Sequence, residues 1–136
     1  MAVMDLRARR GLIGSNEPEE ELYPIGTNII TWSGYRAARN ENKAISRSNG
    51  EYHNKTSDYE NGASEIFIPV STKYTYRKSN DRIYTLAYYD ANKNFLGYRI
   101  EDNLTIKAIT LLKGTKYIRL TWWAGNNLGL SLTRIA

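Results

Sequence analysis

Residues 64–97 constrain the fold more than any other part of the chain. Ser64-Glu65-Ile66-Phe67-Ile68-Pro69-Val70 is followed by the polar turn Ser71-Thr72-Lys73 and by Tyr74-Thr75-Tyr76. Ile83-Tyr84-Thr85-Leu86-Ala87-Tyr88-Tyr89 then runs through the polar stretch Asp90–Asn94 into Phe95-Leu96-Gly97. Short runs of β-branched and aromatic residues, each closed by a polar turn, are a strand pattern. Proline lacks an amide to donate, so Pro69 fits a strand end or a sheet edge. Side chains alternate along a strand, which puts Tyr84, Leu86 and Tyr88 on one face and Ile83, Thr85, Ala87 and Tyr89 on the other. The chain is therefore expected to be all-β and antiparallel.

The remaining segments extend this expectation. Asn28–Trp32 reads as a first strand, Ser33–Asn42 as a loop and Lys43–Ser46 as a short strand. Arg47–Asn61 is polar and aperiodic and includes Tyr52, His53 and Tyr59, so it is expected to be a surface loop of the kind that carries binding. Asn103–Leu112 predicts another strand or two. Tyr117–Trp123 is the strongest strand by residue type, with Ile118, Leu120 and Trp122 facing the core and Tyr117, Arg119, Thr121 and Trp123 opposite. Leu128–Thr133 alternates and closes the chain. Roughly eight short strands with no long helical pattern predict an antiparallel β-sandwich of jelly-roll type.

The first 21 residues differ in character. Val3, Met4, Leu6, Leu12 and Ile13 surround Arg7, Arg9 and Arg10, and Ser-Asn-Glu-Pro-Glu-Glu-Glu follows at 15–21. Too short to fold alone, this segment reads as an extended or short-helical N-terminal arm ordered by a partner, with an acidic spacer behind it. Leu6, Leu12 and Ile13 would pack into a partner groove while Arg7, Arg9 and Arg10 meet its acidic rim. The sandwich is expected to occupy 22–136, beginning near Leu22-Tyr23-Pro24. Formal net charge is +5; residues 1–21 carry three arginines against five acidic groups, so 22–136 is the basic part. Its Lys and Arg are scattered rather than gathered in a stripe, so nucleic acid is not an expected partner. Nothing approaches a transmembrane span, and the arginines interrupt any signal-peptide core, so neither membrane insertion nor secretory export is expected.

Chemistry is sparse. There is no Cys, which excludes disulfides and thiolate metal sites, and His53 is the only histidine. The carboxylate pairs Asp58/Glu60 and Glu101/Asp102 fall on predicted turns, where solvation is the ordinary explanation, so no enzyme is expected. Asp90, Asn92, Asn94 and Glu101 match positions of a calcium loop, but Phe95 stands where the sharp turn needs Gly. A polar β-turn accounts for them, and no metal or other cofactor is expected. The 11 Tyr and 3 Trp are the distinctive resource. Exposed aromatics stack on the apolar faces of sugar rings while amides and guanidinium groups bind hydroxyls. Trp32, Tyr35 and Arg36 form one candidate glycan-binding or subunit-interface cluster, and Trp123 with Asn126 forms another.

Three landmarks bear on family. Ile68-Pro69-Val70 precedes Tyr74-Thr75, Tyr89-Asp90-Ala91-Asn92-Lys93-Asn94-Phe95 comes next, and Lys116-Tyr117-Ile118-Arg119 comes last. In order and spacing they resemble the carbohydrate-binding-module-like β-sandwich domains of bacteriophage tail and other virion proteins, over roughly residues 43–123. The chain departs from that pattern at Ser71-Thr72-Lys73, where such domains carry a Pro-Gly turn. Leu6-Arg7-Ala8-Arg9-Arg10-Gly11 is similar to the start of small virion proteins from phages of Gram-positive hosts. The resemblance implies a non-enzymatic virion protein, held by its arm to capsid, portal, collar or tail proteins. It implies a homo-oligomer, with a trimer favoured, and host-surface glycan as ligand. A soluble, non-catalytic glycan-binding module outside any virion is the alternative.

Overall fold

The computed structural model describes residues 21–32, 35–105, 107–124 and 129–136, and the docking arm named above (Leu6, Arg7, Arg9, Arg10, Leu12, Ile13) lies outside them. Ten strands occur among the described residues: β1 (Arg39–Asn40), β2 (Lys43–Ile45), β3 (Tyr52–Asn54), β4 (Glu60–Ser64), β5 (Ile68–Pro69), β6 (Tyr76–Lys78), β7 (Ile83–Tyr89), β8 (Phe95–Glu101), β9 (Tyr117–Trp123) and β10 (Leu132–Arg134). All pairing is antiparallel. The main sheet runs β1-β4-β9-β7-β8, with β5 continuing the β4 lane along the same edge of β9. The all-β antiparallel expectation holds.

Strand β9 lies at the centre. Ile118, Leu120 and Trp122 are fully buried on one face, as the alternation predicted, and they join Ile68, Ile83, Leu86 and Tyr88 in the larger core cluster. The β6–β10 pair supplies Tyr76 and Leu132 to that cluster, with Asn28 bridged to Thr133 on one flank and Ala108 bridged to Arg77 on the other. On the opposite face the β2–β3 hairpin covers Thr121, whose Oγ1 accepts the Ile45 amide at 3.0 Å. Ile45, Ala63, Ala87 and Tyr89 form a second cluster there.

Several segments differ from the sequence reading. Asn28–Trp32 does not form a strand: Ile29–Trp32 is a short helix, α1. The Asn28 side-chain oxygen accepts the Ile30 amide at 3.2 Å, which caps the turn. The helix buries both Ile29 and Ile30, which a strand would send to opposite faces. Arg47–Asn61 is not one loop, because it contains β3 and the start of β4. Strand β4, Glu-Asn-Gly-Ala-Ser, has no apolar alternation, and it is held by pairing with β9. Ser64 completes that ladder, its Oγ donating to Leu120 O at 3.2 Å and accepting Leu120 N at 2.8 Å. Among the described residues of Asn103–Leu112 there is no strand beyond the single bridge at Ala108. Of the predicted strand Leu128–Thr133, Leu132 and Thr133 lie in β10, and Leu128 lies outside the described residues. In β7 a bulge between Ile83 and Thr85 breaks the alternation, so Ile83 shares the core face with Leu86 and Tyr88.

Tyrosines tie loops to this frame. Tyr23 donates to Pro69 O, Tyr88 to Thr110 O and Tyr89 to Gly50 O at 2.7 Å, while the Tyr74 and Tyr76 hydroxyls accept the Leu22 and Ser71 amides. Burial raises the phenol pKa of Tyr88, and it raises that of Tyr89 to about 12. Below the unfolded tyrosine value of about 10 both rings are neutral in either state, and the stabilisation is complete. Above it the unfolded chain loses its protons first, so stability falls as pH rises through the folded values. Lys78 acts in the opposite sense, since burial lowers its pKa, but its Nζ keeps two carbonyl acceptors, Asp81 O at 3.2 Å and Asn103 O at 2.6 Å. Tyrosinate absorbance and circular dichroism, followed together from pH 8 upward (a range set by the reference values), should show the last phenols ionising in one step with loss of β signal above about pH 10. Ionisation of every phenol with the fold intact would contradict this assignment.

Candidate functional site

The hairpin-covered face is not covered to its end. Where β9 finishes, Trp123 is half-buried, and its ring meets Tyr84 edge-on with centroids 5.4 Å apart. Tyr59, 63% exposed, lies parallel to Tyr84 and offset at 6.5 Å. Glu60 pairs with Trp123 across the β4–β9 ladder, which brings the preceding Tyr59 to the platform. The β7 bulge brings Tyr84, since Arg47 engages both Tyr84 and Thr85. Its guanidinium carbon sits 4.1 Å from the centroid of the Tyr84 ring, Nη2 donates to Tyr84 O at 2.7 Å and Nε donates to Thr85 Oγ1 at 3.0 Å. The same guanidinium lies 5.5 Å from Tyr98, and Arg82 lies 5.5 Å from Trp123. Four aromatic rings and two arginines thus form one partly open platform. Guanidinium groups over aromatic rings hold those rings in place and add about 0.5–2 kcal/mol each, depending on exposure.

A groove of about 300 Å³ adjoins this platform, with Arg47, Ser48, His53, Thr56, Glu60 and Tyr84 in its wall. Glu60 is buried, and its Oε1 accepts the amides of Thr56 and Ser57 at 3.0 and 2.9 Å, so that oxygen orders the loop. His53 Nδ1 is 2.6 Å from Asn54 O. Hydroxyls, an imidazole and a guanidinium edge beside flat apolar rings suit a polyhydroxylated ligand.

The candidates named from sequence separate. Trp123 belongs to the platform. Trp32 is 61% exposed at the end of α1, with Tyr23 edge-on at 5.9 Å. Tyr35 opens a 3-10 turn over Tyr35–Ala37. Arg36 has a left-handed backbone and directs its guanidinium to the core residue Trp122, 6.0 Å from its ring, with Nε and Nη2 buried. Asn126 lies outside the described residues. Asp90 behaves as the turn residue expected, its Oδ1 accepting the amides of Asn92 and Asn94 at 2.8 and 2.9 Å, and these bonds lower its pKa. Sequence reasoning did not single out Arg47, Arg82, Tyr84 or Tyr98. The available signal was Tyr59 in a polar loop marked for binding.

Comparison with known families, characterised proteins and solved structures finds no match for this chain.

Arg47 and Tyr59 should separate scaffold from surface. Arg47→Ala removes a stacked cation and two hydrogen bonds and should lower unfolding free energy by about 1–3 kcal/mol. Tyr59→Ala removes an exposed ring and should change it by no more than about 0.5 kcal/mol. Urea denaturation of both variants measures the difference.

Proposed function

We propose that this chain is a non-catalytic phage virion protein that attaches to host-surface glycan. In this reading residues 1–14 anchor it to capsid, portal, collar or tail proteins, and the β body, a sandwich of jelly-roll type, faces outward. The observation that carries the glycan part is the open platform of Tyr59, Tyr84, Tyr98 and Trp123 beside a polar groove. Rings held by Arg47 present flat faces without a large ordering cost, which favours weak, repeated contacts with a polymer. The virion part rests on the sequence resemblance and on the apolar, arginine-containing arm.

A homo-oligomer, with a trimer favoured, accords with strand β8. It ends the main sheet, and Leu96 and Ile100 along it are 39% and 41% exposed. An exposed edge strand is a ready template for pairing with another chain. A soluble glycan-binding module remains the second reading, favoured by the same platform and indifferent to the arm.

Binding of the purified protein to host cell envelopes tests the glycan part. Tyr59→Ala and Trp123→Ala should each weaken retention by roughly ten-fold or more, as loss of an aromatic sugar platform does. Trp32→Ala tests the exposed tryptophan of α1, and unchanged retention in all three variants would remove the glycan assignment. Deleting residues 1–14 should abolish incorporation into particles, read by immunogold microscopy, while leaving envelope binding intact. Incorporation without the arm would remove its anchoring role.

A further inference from the structure

Among the described residues a buried cation stands with no carboxylate within ion-pair distance. Arg119, on the hairpin-covered face of β9, is 7% exposed, and its Nε is buried without a hydrogen bond. Its guanidinium carbon lies 4.4 Å from the centre of the Phe67 ring and 4.9 Å from that of Tyr52, and the group approaches the Tyr89 hydroxyl. Among the described residues no carboxylate comes within ion-pair distance. Glu51 lines the same cleft and is exposed, and Glu65 stands near Tyr52. The Tyr52 hydroxyl is also buried, and Asn40 approaches it without completing a hydrogen bond. Arg134, equally buried, shows the ordinary arrangement: its Nη1 donates to Glu21 Oε1 at 2.7 Å and to Tyr23 O. An unpaired buried charge is costly and asks for an explanation.

A second cation converges on the same place. Arg119, Tyr52, Phe67, Tyr89, Phe95 and Lys93 line a cleft of about 460 Å³. Lys93 Nζ lies 5.1 Å from the Phe67 ring centre and 5.4 Å from that of Tyr117. Lys93 sits in the β7–β8 turn at φ 66°, a left-handed position that glycine adopts freely and lysine does not. The turn alone gives no reason for a lysine there.

We propose that this cleft binds the carboxylate of an acidic sugar. Aromatic packing on a guanidinium leaves its in-plane N–H groups free, and that edge matches a planar carboxylate in a two-point contact. Lys93 adds a point charge at the rim, the buried Tyr52 hydroxyl adds a donor, and Phe67 and Phe95 offer walls to the sugar ring. The sugar part rests on the glycan reading above; the anion part does not.

The test is titration of the full chain with glucuronate, glucose and glycerol phosphate, read by nuclear magnetic resonance shifts of residues 49–52, 93–95 and Arg119. Glucuronate should shift these resonances, with glucose weaker by roughly ten-fold or more, the equivalent of one charged hydrogen bond. Arg119→Met should abolish the response without lowering the thermal midpoint, since it removes an unpaired buried charge. Lys93→Gly relieves the strained turn, so it should weaken glucuronate while keeping or raising the midpoint, which guards against a folding artefact. Tyr59→Ala and Trp123→Ala should leave the response unchanged. No shift in the cleft with any probe, or an undiminished response in Arg119→Met, would overturn the site. Preference for glycerol phosphate over glucuronate would overturn the carboxylate assignment. Envelope binding that persists without any cleft response would reject this inference and leave the platform reading standing.

Discussion

Strand β9 has neighbours on both edges and cover on both faces, and the rest of the molecule is arranged to provide that cover. Its even-numbered side chains, Ile118, Leu120 and Trp122, demand an apolar layer, which the β6–β10 pair and α1 supply. Its odd-numbered side chains include Arg119 and Thr121, which demand polar partners. The β2–β3 hairpin provides one for Thr121 and none for the Arg119 Nε. A central strand can present such different chemistry on its two faces because successive side chains point in opposite directions. The apolar face makes the core, and the polar face is where unfilled chemical demand collects.

Tyrosine serves both faces. A phenol buries an apolar body and still offers a hydroxyl at its tip, so it can sit in a core and reach a loop carbonyl at the boundary. Tyr23, Tyr88 and Tyr89 do this, and Tyr74 and Tyr76 receive backbone amides instead. With these loops fixed, the less buried rings of Tyr59, Tyr84 and Tyr98 keep defined positions beside Arg47. The same residue type is thus a loop fastener where it is buried and a contact surface where it is not.

Strands with strong intrinsic preference were legible in the sequence. Tyr117–Trp123 and Ile83–Tyr89 match β9 and β7 to the residue, because β-branched and aromatic side chains fit a pleated surface. Strand β4 was not legible, since Gly62, Ala63 and Ser64 are small residues whose value lies in close pairing with β9. Helix α1 was hidden because Ile29, Ile30, Thr31 and Trp32 favour strands, and only the Asn28 cap and the burial of adjacent isoleucines decide otherwise. Alternation assigned Trp123 its face, but the bulge that adds Tyr84 to the same platform leaves no mark in the residue pattern. For Arg119 the sequence indicated the face opposite the core; that a hairpin from residues 43–54 covers it depends on long-range packing.

The described start and end of the chain run side by side. Gly26 N donates to Arg134 O at 2.7 Å, Arg134 N to Thr27 O at 2.9 Å, and Thr75 N to Ala136 O at 3.0 Å. The ion pair of Glu21 with Arg134 fastens the same corner. A reporter fused after Ala136 would therefore emerge beside Glu21. The exposed turn at Lys113-Gly114, where Gly114 adopts φ 87° and an added Cβ would meet no neighbouring atom, gives an insertion a separate exit.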